Sequence, residues 1–180
     1  MPTTTSTLDD FTTAAGPWTA AVRAVTDWDA ATPCEGWTAR DLVDHVITTE
    51  RGFFADRGLP LEGAAADDPA AAWDAHRASV ERALADPAVP ATEYQGWFGP
   101  TTVGDAFGQY YVFDLYVHRW DLARAAGLDD SFTDTELDRI EADIAAWGDA
   151  LYLEGICKQP LEAPADADRT TRVLARLGRR

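Results

Sequence analysis

Asp114 and His118 stand four residues apart in DLYVHRWDLARAAG (Asp114 to Gly127). Four residues is about one helical turn, so on a helix both side chains point the same way. The same stripe carries Phe107, Tyr111, Leu122 and Ala125, which marks it as inward-facing. An acid and an imidazole on an inward stripe are costly unless something satisfies them. A divalent metal would do so. His45, in TPCEGWTARDLVDHV, is on the apolar face of another helical stretch with Leu42, Val46, Thr49 and Phe53. His45, Asp114 and His118 are therefore the candidate ligands of one metal site. Imidazole and carboxylate suit zinc, nickel or iron, and three protein ligands leave a position open for water or substrate. The competing reading is an Asp–His pair on a helix surface, worth a few tenths of a kcal/mol, or a set of structural buried polar groups.

Neighbouring residues extend the candidate site. Asp121 lies one turn beyond His118 and is placed either to orient a ligand imidazole or to pair with Arg124. Asp41, one turn before His45, is better read as the capping partner of Thr38. His76, beside Trp73 on a charge-rich helix, reads as a surface histidine. Trp37, Trp120, Tyr110 and Tyr111 are core aromatics first and pocket residues second. Arg40 and Arg119 are candidate partners for a substrate carboxylate, with solvated helix faces as the alternative. Cys34 and Cys157 form no CxxC and no zinc-knuckle spacing, and both read as ordinary half-buried thiols.

These side chains need helices to hold them, and the chain supplies helices. Leu8, Phe11, Trp18, Val22 and Val25 keep a helical period from about Leu8 to Asp29, across Gly16-Pro17. Thr38 opens a second helix to about Arg57. Gly58 to Asp68 is loop, and Pro69 suits the first turn of a third helix ending near Asp86. Pro87 to Pro100 is irregular, with room for a short extended segment. Thr101 or Thr102 caps a fourth helix that stops at Gly127. Thr133 and Glu136 open a fifth, to about Leu153, and Arg169 to Leu177 a short last one. No strand pattern of useful length is visible, so an all-α bundle is expected. A chain of 180 residues is expected to form one domain, residues 1–180.

Composition narrows the function classes. An apolar content of 46% with seven Trp excludes a disordered chain. A net charge of −16 repels phosphate backbones, so nucleic acid is not an expected partner. No apolar run is long enough to span a bilayer. MPTTTSTLDDF has no basic region followed by an apolar core, so no leader is expected, and the expected location is the cytoplasm. Neither a P-loop, a dinucleotide fingerprint nor a G-x-S-x-G elbow is present.

TPCEGWTARDLVDH resembles the second-helix signature of the DinB-like superfamily, in its mycothiol-dependent maleylpyruvate isomerase branch. DLYVHRWDLARAAG resembles the matching fourth-helix signature, with an acid four positions before a histidine. The ending from about Pro160 to Arg179, with LARLGRR, resembles that of short actinobacterial members described as metal-binding proteins. The resemblance implies a DinB-like four-helix bundle with an extra C-terminal helix and tail, holding a divalent metal between helices. His45, Asp114 and His118 fall on its ligand positions. It also implies a low-molecular-weight thiol, mycothiol, as co-substrate beside a small-molecule substrate, and a transferase or isomerase reaction in which the metal activates the thiol. Two departures stand out. The isomerase has Glu where this chain has Asp114, and it carries a separate C-terminal domain, so maleylpyruvate isomerisation itself is not expected here. A non-enzymatic metal-containing stress-response or binding protein and a metal-dependent hydrolase are the alternatives. Such bundles often pair, so a homodimer is the expectation by analogy.

Overall fold

The structure is a computed structural model describing residues 6–63 and 66–180. The first five residues, on which part of the leader expectation rests, and residues 64 and 65 of the expected Gly58–Asp68 loop lie outside the described residues. The chain divides into two compact units, Met1–Asp129 and Asp130–Arg180. It is mainly helical with one small two-stranded sheet. No helix among the described residues is long and apolar enough to cross a membrane.

In the first unit, α1 (Thr7–Ala24) starts at Ser6, whose side chain accepts from the Asp9 N–H. It buries Phe11, Ala14, Ala15, Trp18 and Val22 on one face. It ends at Val25 rather than at the expected Asp29. The reason is local: the Asp27 carboxylate accepts from the Asp29 N–H, offering the backbone a turn in place of another helical bond. Ala31 and Thr38 then pair across a tight loop in which Gly36 takes a φ of 80°, a left-handed conformation that favours glycine.

α2 (Ala39–Ala55) opens with a reciprocal cap: Thr38 Oγ1 accepts from Asp41 N–H, and the Asp41 carboxylate accepts from Thr38 N–H. α3 (Pro69–Ala85) has Asp68 as its cap and Pro69 in its first turn. Its inward stripe is Trp73, His76, Val80 and Leu84. His76 is thus not the surface residue expected from its charged neighbours. It is 1% exposed, and its Nε2 meets Glu50 Oε2 of α2 at 2.7 Å. A buried imidazole is tolerated when it finds a partner, and that partner is 26 positions away in sequence.

The irregular segment folds into an antiparallel hairpin, β1 (Glu93–Gly96) and β2 (Gly99–Thr102), with Glu93 opposite Thr102 and Gly96 opposite Gly99. The expected fourth helix exists from its Thr102 cap to its left-handed Gly127 stop, but in three parts. These are α4 (Val103–Phe107), a π-helical turn (Gly108–Val112) and α5 (Phe113–Ala126). A π turn sets an extra residue into the helix and rotates the residues after it about the helix axis. α1 and α2 each pack on both α3 and α5. Trp18, Trp73, Leu42, Phe54, Phe107, Leu115 and Leu122 fill the space between these helices.

In the second unit, α6 (Asp134–Trp147) opens with the Thr133–Glu136 reciprocal cap. It stops at Gly148 (φ 53°, ψ −137°), short of the expected Leu153, and Gly148–Tyr152 continues as a 3-10 turn. That backbone conformation cannot propagate an α-helix. α7 (Arg169–Arg176) is tied to α6 by Arg169, which reaches Asp138 at 2.5 Å and Glu141 at 2.6 Å.

Candidate metal centre

α2 delivers His45, and the first two turns of α5 deliver Asp114 and His118. His45 Nε2 lies 3.5 Å from Asp114 Oδ2, and His118 Nε2 lies 3.3 Å from Asp114 Oδ1. The two imidazoles are nearly perpendicular, centroids 5.3 Å apart. One donor atom from each of the three side chains lies within 4.8 Å of the others. Donors sharing one tetrahedral zinc-sized ion at about 2.0–2.1 Å stand about 3.3–3.4 Å apart. Each nitrogen–oxygen separation is close to that edge, each to a different oxygen of Asp114, and the donor set of two imidazoles and a carboxylate is the right chemistry for such an ion. The site is less enclosed than the inward stripes suggested. The side chains of His45 and Asp114 are 30% and 32% exposed, and His118 is 8% exposed. Both α2 and α5 present these residues at the edge of their buried faces, which leaves a side open for a ligand.

Behind His118 lies a second layer of contacts. Its Nδ1 is 2.9 Å from Oδ2 of the fully buried Asp121. The Cys34 thiol donates to the same oxygen at 3.4 Å. A proton on Nδ1 shared with Asp121 leaves the Nε2 lone pair facing Asp114, where an ion would sit. Burial pulls the His118 pKa down, but Asp114 and the bonds to Asp121 and Cys34 outweigh it and raise it to about 10. The pocket around this imidazole therefore favours a positive charge, which a proton or a metal ion can provide.

The loop before α2 closes over both histidines. Thr32 N–H and Oγ1 donate to the Trp37 carbonyl, and Trp37 N–H donates to the Cys34 carbonyl. That turn sets the Trp37 ring 4.6 Å from His45 and 6.3 Å from His118. Trp37 is thus a wall of the cluster as well as a packing residue. Asp41 serves the Thr38 cap, as its spacing predicts. Trp120 is buried beneath the Arg124 guanidinium, whose carbon lies 5.6 Å from the ring. Tyr111 is half-buried against Phe53 and Phe107, and burial pushes its hydroxyl pKa up to about 12. Arg40 donates to the Asp67 carbonyl, and Arg119 is buried.

Cys34 is the participant that spacing alone does not reveal. It sits 87 positions from Asp121 and forms a further metal-type cluster with His118 and Asp121. Its position four residues before the α2 cap was the only available signal. Neither cysteine is in a disulfide.

Comparison with known proteins places the chain in a family. Two proteins from strains of Mycobacterium tuberculosis, both described only as uncharacterised, are 32% identical over 100 residues, covering 53% of this chain and 53% of theirs. The chain thus spans about half the length of these curated relatives. No solved structure matches it. The family described as mycothiol maleylpyruvate isomerase N-terminal domain matches residues 11–123, which include Cys34, Trp37, His45, Asp114, His118 and Asp121. The chain belongs to this DinB-like family, in its mycothiol-dependent maleylpyruvate isomerase branch.

Proposed function

We propose that this protein binds a divalent metal, zinc foremost, through His45, Asp114 and His118, and uses it with a low-molecular-weight thiol in a transferase or isomerase reaction. The observation that carries the reading is the convergence of three donors from α2 and α5 at metal-edge separations on a partly exposed face. In this reading α1, α2, α3 and the rod ending in α5 make the DinB-like four-helix bundle. Mycothiol is the proposed thiol on family grounds, and the proposed location is the cytoplasm, where thiols are kept reduced. A bound divalent ion would supply the Lewis acidity that turns a thiol into a thiolate at neutral pH. The chain's own residues do the rest. Asp121 holds the His118 ring in orientation, Cys34 steadies Asp121, and Trp37 screens the histidines from water on one side.

Elemental analysis of protein purified without chelator tests the first half. About one ion per chain is expected in wild type, with most of it lost in His118→Ala. A wild type without metal, or a variant with undiminished content, refutes it. The thiol half is tested on cobalt-substituted protein. A sulfur-to-cobalt charge-transfer band on adding thiol supports an exchangeable position, and its absence marks a closed, structural metal.

A further inference from the structure

Arg57 lies just past the C-terminal end of α2, in the turn that follows the Asp56 cap. His45, Thr49 and Phe53 recur every four residues within α2, so they form one slowly turning stripe, and Arg57 follows its C-terminal end. That stripe faces Tyr111 of the π-helical turn and Asp114 of α5: His45 meets Asp114, and the Phe53 ring lies 4.8 Å from the Tyr111 ring. Phe53 is buried and forms a floor, while Thr49, Arg57, Tyr111 and Asp114 are all partly exposed.

The Arg57 guanidinium is clamped flat. Its carbon is 3.8 Å from the Phe53 ring centroid and 4.1 Å from that of Tyr94 on β1. Nη1 donates to the Phe53 carbonyl, which turns the side chain back toward His45. The Nε–H is buried without a hydrogen-bond partner. No carboxylate among the described residues pairs with Arg57. That is notable in a chain with 31 acidic residues against 15 basic ones, where neutralising partners are plentiful. Aromatic faces hold a cation in place without cancelling its charge. They also fix the guanidinium plane, and the planar N–H fork is the geometry that receives a carboxylate. Arg57 is close enough to Tyr110 and Tyr111 for both hydroxyls to feel its charge.

We propose that Arg57, set between Phe53 and Tyr94, binds the carboxylate of an elongated small-molecule ligand whose other end lies at the His45–Asp114–His118 cluster. The guanidinium lies over Phe53, eight residues from His45, so the two ends are separated by about 12 Å along α2. The proposal rests on reading that cluster as the reaction centre, and it adds the chemistry of the far end of the ligand.

Two titrations decide it. In the first, protein prepared without metal is titrated with long-chain alkanoates and the matching alkanols, followed by NMR. The carboxylates are expected to bind at least tenfold more tightly, and Arg57→Gln to abolish the preference while Arg57→Lys keeps part of it. In the second, cobalt-loaded protein is titrated with mercaptocarboxylates and mercaptoalcohols of rising length, followed by the sulfur-to-cobalt band. A carboxylate advantage is expected only once the chain spans the distance to Arg57. Equal affinities for carboxylate and alcohol in the first titration, or a preference that survives Arg57→Gln, overturn the assignment. Should Arg57→Gln not fold, the wild-type alkanoate–alkanol comparison and Arg57→Lys decide the same question. Absence of a sulfur band with every thiol, short ones included, refutes the metal–thiol reading instead, and the first titration still decides the role of Arg57.

Discussion

Replacing Asp121 by Asn changes one charge and almost no volume at a fully buried position. The Asp121 Oδ2 accepts from two donors, His118 Nδ1–H at 2.9 Å and the Cys34 thiol at 3.4 Å. An Asn has one oxygen and one NH2 group: with the oxygen in the place of Oδ2 it accepts from both donors without the charge, and with the NH2 there it loses both bonds. With its oxygen toward His118, the ring keeps its tautomer but loses a charged acceptor. With its NH2 toward His118, the ring must put its proton on Nε2, and the lone pair facing Asp114 disappears. Loss of such an orienting partner costs about 10–100-fold in metal affinity, or about 1.4–2.7 kcal/mol. Competition with a chromophoric zinc chelator at pH 7 measures this directly, with thermal melting of the metal-free protein as the check on folding. Weakened zinc binding with an intact fold is expected. A folded Asp121→Asn protein with wild-type zinc affinity would refute the idea that Asp121 acts through His118.

Glu50→Ala should be severe: it leaves His76 buried with neither nitrogen partnered, and breaking such a pair costs about 3–5 kcal/mol; a loss under about 1 kcal/mol in urea unfolding would show that water satisfies the site. Gly127→Ala forces a side chain to a φ of 65° with open space around it, so a loss of roughly 1–2 kcal/mol from backbone strain alone is expected, and an unchanged melting temperature would contradict it. Asp41 has its pKa lowered by the backbone and side-chain hydrogen bonds from Thr38. Its folded pKa is below the unfolded one, so its contribution is present above about pH 4 and is lost as pH falls through the depressed value. Asp41→Asn should therefore flatten the acid side of the stability–pH curve, and a curve parallel to wild type would count against the cap.

Helix starts were legible because capping is local. Thr38 with Asp41, and Thr133 with Glu136, satisfy backbone groups three residues away, and the structure places both caps where spacing did. Helix interiors and stops were read less well where two local preferences compete. The π turn before α5, the early end of α1 and the stop at Gly148 are such cases. The hairpin was legible only as room for a short extended segment between Pro87 and Pro100, because its strands are four residues each and half-exposed, too short to show an alternating pattern or their pairing. His76 was misread because its own helix looks solvated, while its partner Glu50 comes from another one.

By itself, the sequence determined that Asp114 and His118 share a helix face one turn apart, because helical geometry depends only on spacing. It determined equally that His45 follows a capped helix start. Only the tertiary structure decided that α2 packs against α5 so that His45 meets Asp114. The same packing decided that Cys34 reaches Asp121, 87 residues away, and that Arg57 is gripped by Tyr94 of the hairpin. Those encounters depend on how buried faces fit together in three dimensions, and no interval along the chain encodes that fit.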